Sequence, residues 1–155
     1  METRKYIFYK ILEIILLALI FALIRVQPEL LAADRVSVSV GIANVRSGPG
    51  TTYKVLWKIE KNHPLQILRS SGGWYQFRDF EGDKAWIFKK LTSDTPTVVV
   101  KKKNCNIRSG PGLNHPILFT AEYGVPFRVL ERKEKWIHVQ HSDGDKGWIY
   151  ASLVW

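Results

Sequence analysis

Apolar and polar positions alternate in short runs over most of this chain, and turn residues separate the runs. Val36, Val38 and Val40 alternate with serines, and Val98 and Val100 open a similar run later on. Val55, Trp57 and Ile59 share one face of the next run, as do Ile117, Phe119 and Ala121. Leu65 with Ile67, Phe127 with Val129, Tyr75 with Phe77, and Ile137 with Val139 continue the pattern. A period of two is the strand period, because successive side chains of a strand point to opposite faces. Glu81-Gly82 and Asp143-Gly144 stand where hairpins turn. No stretch after Arg35 has helical periodicity, so the pattern predicts an all-β chain. Five short strands per unit do not make two extended sheets, and a small closed barrel removes their free edges.

The first 33 residues follow a different pattern. Arg4, Lys5 and Lys10 form a basic opening, an unbroken apolar stretch runs from Ile14 to Ile24, and Arg25 and Pro28 close it. Eleven apolar residues rise roughly 16 Å as a helix, against a hydrocarbon core of ~30 Å. That length matches the apolar core of a signal peptide, with Ala32 and Ala33 before a cut at Asp34. The competing reading is an uncleaved anchor, lengthened by Ile7, Phe8 and Leu12. Both readings place the remainder outside the inner membrane.

The chain repeats itself. Asn44 to Gly50 reads NVRSGPG and Asn106 to Gly112 reads NIRSGPG, an offset of 62. Held without a gap over residues 44 to 92, that offset gives 17 identities in 49 positions, among them Leu56 with Leu118, Trp74 with Trp136, and Trp86-Ile87 with Trp148-Ile149. Such agreement in one register marks two domains of one kind. Their bounds read as 36–92 and 98–155, with 93–97 as a short linker containing one proline.

Composition adds little to this picture and charge adds more. Of the 155 residues 46% are hydrophobic and 24% charged, an ordinary globular mixture. The formal charge of +9 suits acidic partners, among them nucleic acid, anionic lipid and anionic wall polymers. A single cysteine, Cys105, forms no disulfide within the chain.

The NxRSGPG motif, followed by a W-x-x-(F/V)-x-x-x-x-G-D-K-x-W-I ending, resembles the bacterial SH3-like (SH3b) domain, twice over. The chain is most similar to short exported Gram-negative proteins with paired SH3-like domains. The resemblance implies two tandem small SH3-like β-barrels after an N-terminal signal or anchor helix. It also implies binding without catalysis, since related modules are commonly appended to cell-wall hydrolases and hold them on peptidoglycan or its peptides. SH3 relatives that bind proline-rich peptides end their last strands with a proline and a tyrosine. Here Phe88 and Tyr150, then Leu91 and Leu153, take those places, which argues against PxxP recognition.

Candidate binding residues fall in two groups. Arg46 and Arg108 either face an anionic ligand or brace the RSGPG loop, whose glycines are read as permitting positive φ. Strand parity puts Trp74 opposite Tyr75 and Phe77, on a face with Gln76 and Arg78; Trp136 shares its face with His138 and Gln140. A tryptophan facing outward at one place in both copies is a candidate ligand platform, or else a cover over the barrel end or the domain junction. Trp86 and Trp148 read as structural.

Other constellations carry less. Cys105, with His115, His138 and His141, invites a thiol-nucleophile reading, yet Cys105 aligns with Ala43 and reads as a small packing residue. In a strand the HxxH spacing of His138 and His141 splits the pair over two faces, so no metal site is expected. Lys101, Lys102 and Lys103 read as the guard of an edge strand rather than a nucleic-acid patch. The sequence therefore predicts a non-catalytic binding module of the bacterial cell envelope, without cofactor, recognising peptidoglycan or its peptides. The alternatives are a periplasmic adaptor for envelope proteins and, remotely, a wall-acting cysteine enzyme. No nucleic-acid partner is expected, and membrane contact only through an uncleaved N-terminal segment.

Overall fold

The computed structural model describes residues 34–155, so the signal or anchor reading of residues 1–33 lies outside the described residues. The first repeat forms β1 (Arg35–Val38), β2 (Ile42–Arg46), β3 (Val55–Glu60), β4 (Pro64–Ser71), β5 (Trp74–Arg78), β6 (Lys84–Phe88), a single 3-10 turn (Lys89–Leu91) and β7 (Thr92–Ser93). The second forms β8 (Thr97–Val99), β9 (Cys105–Arg108), β10 (Ile117–Ala121), β11 (Pro126–Lys133), β12 (Trp136–Gln140), β13 (Lys146–Tyr150) and a 3-10 turn (Ala151–Leu153). Expected strands that are not helical by pattern are thus joined by two short 3-10 turns that carry no periodicity to be read. No helix among the described residues is long and apolar enough to cross a membrane.

The strands pair within their own repeat. One sheet runs β3-β2-β6-β5-β4-β1-β7 and the other β10-β9-β13-β12-β11-β8. The extra strand of the first sheet, β7, pairs Thr92 with Val38 and Ser93 with Ser37, so the connecting segment 93–97 starts inside the sheet. In the second copy the same place is held by an isolated bridge from Val100 to Val154.

Each sheet curls over one core. Val36, Val38, Ala43, Val45, Ile59, Leu65, Phe77, Ala85 and Ile87 form the first cluster, to which all of β1 to β6 contribute. Val98, Val100, Cys105, Ile107, Ala121, Phe127, Ile137, Val139, Ile149 and Val154 form the second. Bulges bend both long strands at equivalent places, between Ile67 and Arg69 and between Val129 and Glu131. An extra residue in one strand sharpens the local bend that a small barrel needs. The face shared by Val55, Trp57 and Ile59 grades from exposed to buried along β3. Ile117, at 50% exposure, repeats this in β10.

The two barrels meet along a seam. Tyr123 Oη donates to Glu81 Oε1 at 3.0 Å, and the Tyr123 and Phe80 rings lie 5.2 Å apart. The Arg35 guanidinium carbon sits 3.8 Å from the centre of the Trp155 ring. Both contacts join residues of opposite repeats.

Candidate functional site

The motif loop is braced from within. Arg46 Nη1 donates to Thr51 O at 2.9 Å and Tyr53 O at 2.8 Å. Arg108 Nη1 repeats this with Leu113 O at 3.0 Å and His115 O at 2.8 Å. A Gly-Pro-Gly turn leaves carbonyls without ladder partners, and one guanidinium corner takes up two of them. The motif glycines are not where positive φ occurs: Gly82 and Gly144 have it, at the two hairpins, and Gly48, Gly50, Gly110 and Gly112 do not. That part of the sequence reading is corrected. Gly48 and Gly110 are needed because an aromatic ring lies where their Cβ would stand.

Cross-strand register decides which candidates meet. On the face opposite the core, Trp74 pairs with Phe88, Gln76 with Trp86, and Arg78 with Lys84. The Gln76–Trp86 row extends to Arg69 on β4 and to Arg46 on β2. Arg69 Nε donates to Gln76 Oε1 at 2.7 Å, and its guanidinium carbon lies 5.1 Å from the centre of the Trp86 ring. In the second barrel the matching row is Glu131, His138, Trp148 and Arg108. There His138 stacks on Trp148, with centroids 4.9 Å apart and planes 9° from parallel.

Trp74 and Trp136 are not the exposed platforms that parity alone predicts. Each retains only 9% exposure. They do occupy the face opposite the core, but Phe88 lies 5.3 Å from Trp74, and Tyr150 lies 5.4 Å from Trp136. On a strongly bent sheet a large ring on the convex side is overlapped by its cross-strand neighbour, which alternation along one strand does not reveal.

Trp74 nevertheless reaches a cleft. A recess of about 470 Å³ is lined by Ile42, Asn44, Arg46, Thr51, Trp74, Phe88 and Leu91, with Ala43 and Gly50 completing the wall. It joins the RSGPG loop to the end of β6. Its floor is aromatic and aliphatic, and its lip carries a guanidinium, an amide and a hydroxyl. Such a mixture suits a peptide or a sugar ring. Of the predicted residues, the cleft brings Trp74 and Arg46 together. Gln76 stands one row away beside Trp86, and Arg78 lies further off with Lys84. In the second barrel Trp136 and Arg108 hold the equivalent places, and Gln140 pairs with Lys146 and Arg128. Ile42, Asn44, Thr51, Phe88 and Leu91 were not among the predicted binding residues. Phe88 and Leu91 were legible, because they stand where the SH3 resemblance puts groove residues. Ile42, Asn44 and Thr51 carried no signal.

The remaining candidates have separate surroundings. Cys105 is buried in the second core, and burial pushes its thiol pKa up, against the thiolate that a nucleophile needs. Its Sγ lies 3.4 Å from Lys102 O, placed to donate to it. His138 is stacked as described, while His141 Nδ1 pairs with Asp143 Oδ2 at 2.8 Å. Asp79, Glu81 and Asp83 bring ligand oxygens within 4.8 Å of one another. Asp79 Oδ1 there accepts the backbone N–H groups of Glu81 at 3.0 Å and Asp83 at 2.9 Å, closing the hairpin turn. Lys101, Lys102 and Lys103 lie in the exposed loop between β8 and β9 rather than in an edge strand, since the sheet releases the chain after Val100.

The comparisons agree with this architecture. The family model described as Bacterial SH3 domain matches residues 39–94 and again residues 101–155. The chain is similar to "Putative N-acetylmuramoyl-L-alanine amidase YrvJ" of Bacillus subtilis, 26% identical over 122 residues that cover 72% of this chain and 23% of the relative. It is also similar to "Probable cell wall amidase LytH" of Staphylococcus epidermidis, 33% identical over 64 residues covering 41% of this chain and 22% of the relative. The chain thus spans less than a quarter of these relatives' length. Among solved structures, an NlpC/P60 family protein from Bacillus cereus has a TM-score of 0.38 at 13% identity, covering 78% of this chain and 55% of that one. Likeness at that level bears on neither mechanism nor ligand.

Proposed function

We propose that this chain, which belongs to the bacterial SH3 domain family, is a non-catalytic module that binds peptidoglycan or its peptides in the cell envelope. The observation that carries the reading is the cleft in which Trp74, Phe88 and Leu91 form an apolar floor beside Arg46. The floor is built to desolvate a ring or a methyl-bearing side chain, and the lip to hydrogen-bond its polar edge. Support from relatives is of a different kind: one is named an N-acetylmuramoyl-L-alanine amidase and another a cell wall amidase, and they share 122 and 64 residues with this chain. Activity outside the inner membrane, in the periplasm or at an inner-membrane anchor, goes with this reading.

Co-sedimentation of the full-length chain with purified sacculi is the test. The expected result is saturable binding, weakened by Trp74→Phe and by Phe88→Ala in variants that melt as a folded protein does. Undiminished binding in both folded variants would remove the cleft from the reading. The adaptor alternative has its own observation, apolar side chains exposed at matching places, Leu56 with Leu118 and Val55 with Ile117. It predicts capture of an envelope protein and no sedimentation with sacculi.

A further inference from the structure

A second recess of about 470 Å³ lies between the barrels and belongs to neither alone. The first repeat lines it with Ser39, Lys61 and Asn62, and the second with Arg128, Gln140 and His141. Ser93 and Thr95 of the connecting segment and Ser142 add hydroxyls to the wall. The Trp74 cleft has an apolar floor; this one offers almost only hydrogen-bonding groups and positive charge.

Among the described residues the charge is uncompensated. No aspartate or glutamate lines the recess, and among the described residues neither Lys61 nor Arg128 forms an ion pair. Asp143 touches one of the lining residues, bonding His141 Nδ1 at 2.8 Å. Two cations left beside hydroxyl and amide groups, with no carboxylate between them, raise the local concentration of anions. Arginine additionally offers its donors in a planar fork that matches an oxyanion.

The recess is also held in shape. The Tyr123–Glu81 hydrogen bond, the Phe80–Tyr123 ring contact and the Arg35–Trp155 stack tie the barrels together. On the connecting segment, Ser93 Oγ is bonded to Thr95 Oγ1 at 3.0 Å and lies 3.1 Å from Ser37 Oγ. Pro96 O accepts from Val129 N at 2.8 Å, which binds the segment to the second barrel. A site set before the ligand arrives loses less freedom on binding.

We propose that the inter-barrel recess is a second binding site, for an oxyanion carried on a hydroxylated scaffold, such as a carboxylated or phosphorylated sugar. Lys61 and Arg128, one from each barrel, hold the oxyanion. The serine, threonine, asparagine and glutamine side chains meet the hydroxyls. This site is independent of the Trp74 cleft and stands whether or not that cleft binds the wall.

Amide chemical shifts of the full-length chain, titrated with glucuronate, inorganic phosphate and glucose separately, test it. The expected result is saturable shifts at Ser39, Asn62 and Gly144 with glucuronate, and weaker ones at the same amides with phosphate. A stronger response to phosphate than to glucuronate would assign the oxyanion as phosphate and keep the site. Lys61→Gln and Arg128→Gln, each checked for an unchanged spectrum elsewhere, should weaken glucuronate at least tenfold. An equal response to glucose would overturn the anionic class. The proposal fails if no anion shifts these amides, or if both variants bind like the parent.

Discussion

Tyr53 rests on Gly48. A Cβ at Gly48 would lie 2.3 Å from Tyr53 Cδ1, and one at Gly50 would lie 3.3 Å from Cδ2 of the same ring. His115 bears the same relation to Gly110 and Gly112, at 2.5 and 3.3 Å. The invariant part of the repeat motif is therefore a seat for a ring that itself differs between the copies.

Gly48→Ala should destabilise the first barrel by about 1–3 kcal/mol, the range for forcing extra atoms into occupied space. Because Tyr53 is 47% exposed, its ring is the part that gives way. The double variant Gly48→Ala/Tyr53→Ala should then recover most of the loss relative to Tyr53→Ala alone. Thermal melts of the four proteins measure this coupling, and additive losses would show that the backbone, rather than the ring, resists the methyl group.

Arg46→Ala should cost about 0.5–1.5 kcal/mol, the net worth of an ordinary hydrogen bond, because both accepting carbonyls are exposed to water. Denaturant titration gives the number. A loss of binding to sacculi without any loss of stability would instead assign Arg46 to the ligand.

Trp74→Ala and Trp136→Ala should each cost about 3–5 kcal/mol, as for other buried aromatics truncated to alanine. At that size folding and binding fail together, so neither alanine variant reports on ligand contact. Trp74→Phe keeps most of the packing against Phe88 and should stay folded. Calorimetry of all three variants decides, and a melting temperature unmoved in the alanine variants would mean the rings are not sealed as described.

Burial lowers the His63 pKa from 6.5 to about 4. Its ring lies 5.5 Å from that of Phe80. The folded state disfavours the charged imidazole, so stability is intact above the unfolded pKa of 6.5 and falls as pH drops toward about 4. The full loss is roughly 3 kcal/mol at 1.36 kcal/mol per unit. Urea unfolding between pH 4 and pH 7 should show this slope in the parent and a flatter one in His63→Gln. Parallel curves would assign the acid sensitivity to other groups.

Much of the molecule was legible from residues alone. Alternation gave strands, the Glu81-Gly82 and Asp143-Gly144 pairs gave hairpins whose glycines do have positive φ, and the 62-residue offset gave two domains of one kind. These features are local or repetitive, and each residue votes on its own neighbourhood. The Arg46 and Arg108 braces were legible too, as one of two readings, since unpaired carbonyls in a Gly-Pro-Gly turn need donors.

The remainder depended on which strands lie side by side. Parity along β5 puts Trp74 on the face opposite Phe77, yet only the register with β6 sets Phe88 across from it and buries the ring. Sequence names Lys61 and Arg128 as two charges 67 positions apart; only the packing of one barrel on the other makes them walls of one recess. Side-chain direction follows from the backbone of a single strand. Burial and the meeting of distant charges follow from how a bent sheet closes and what it closes against, which no local pattern contains.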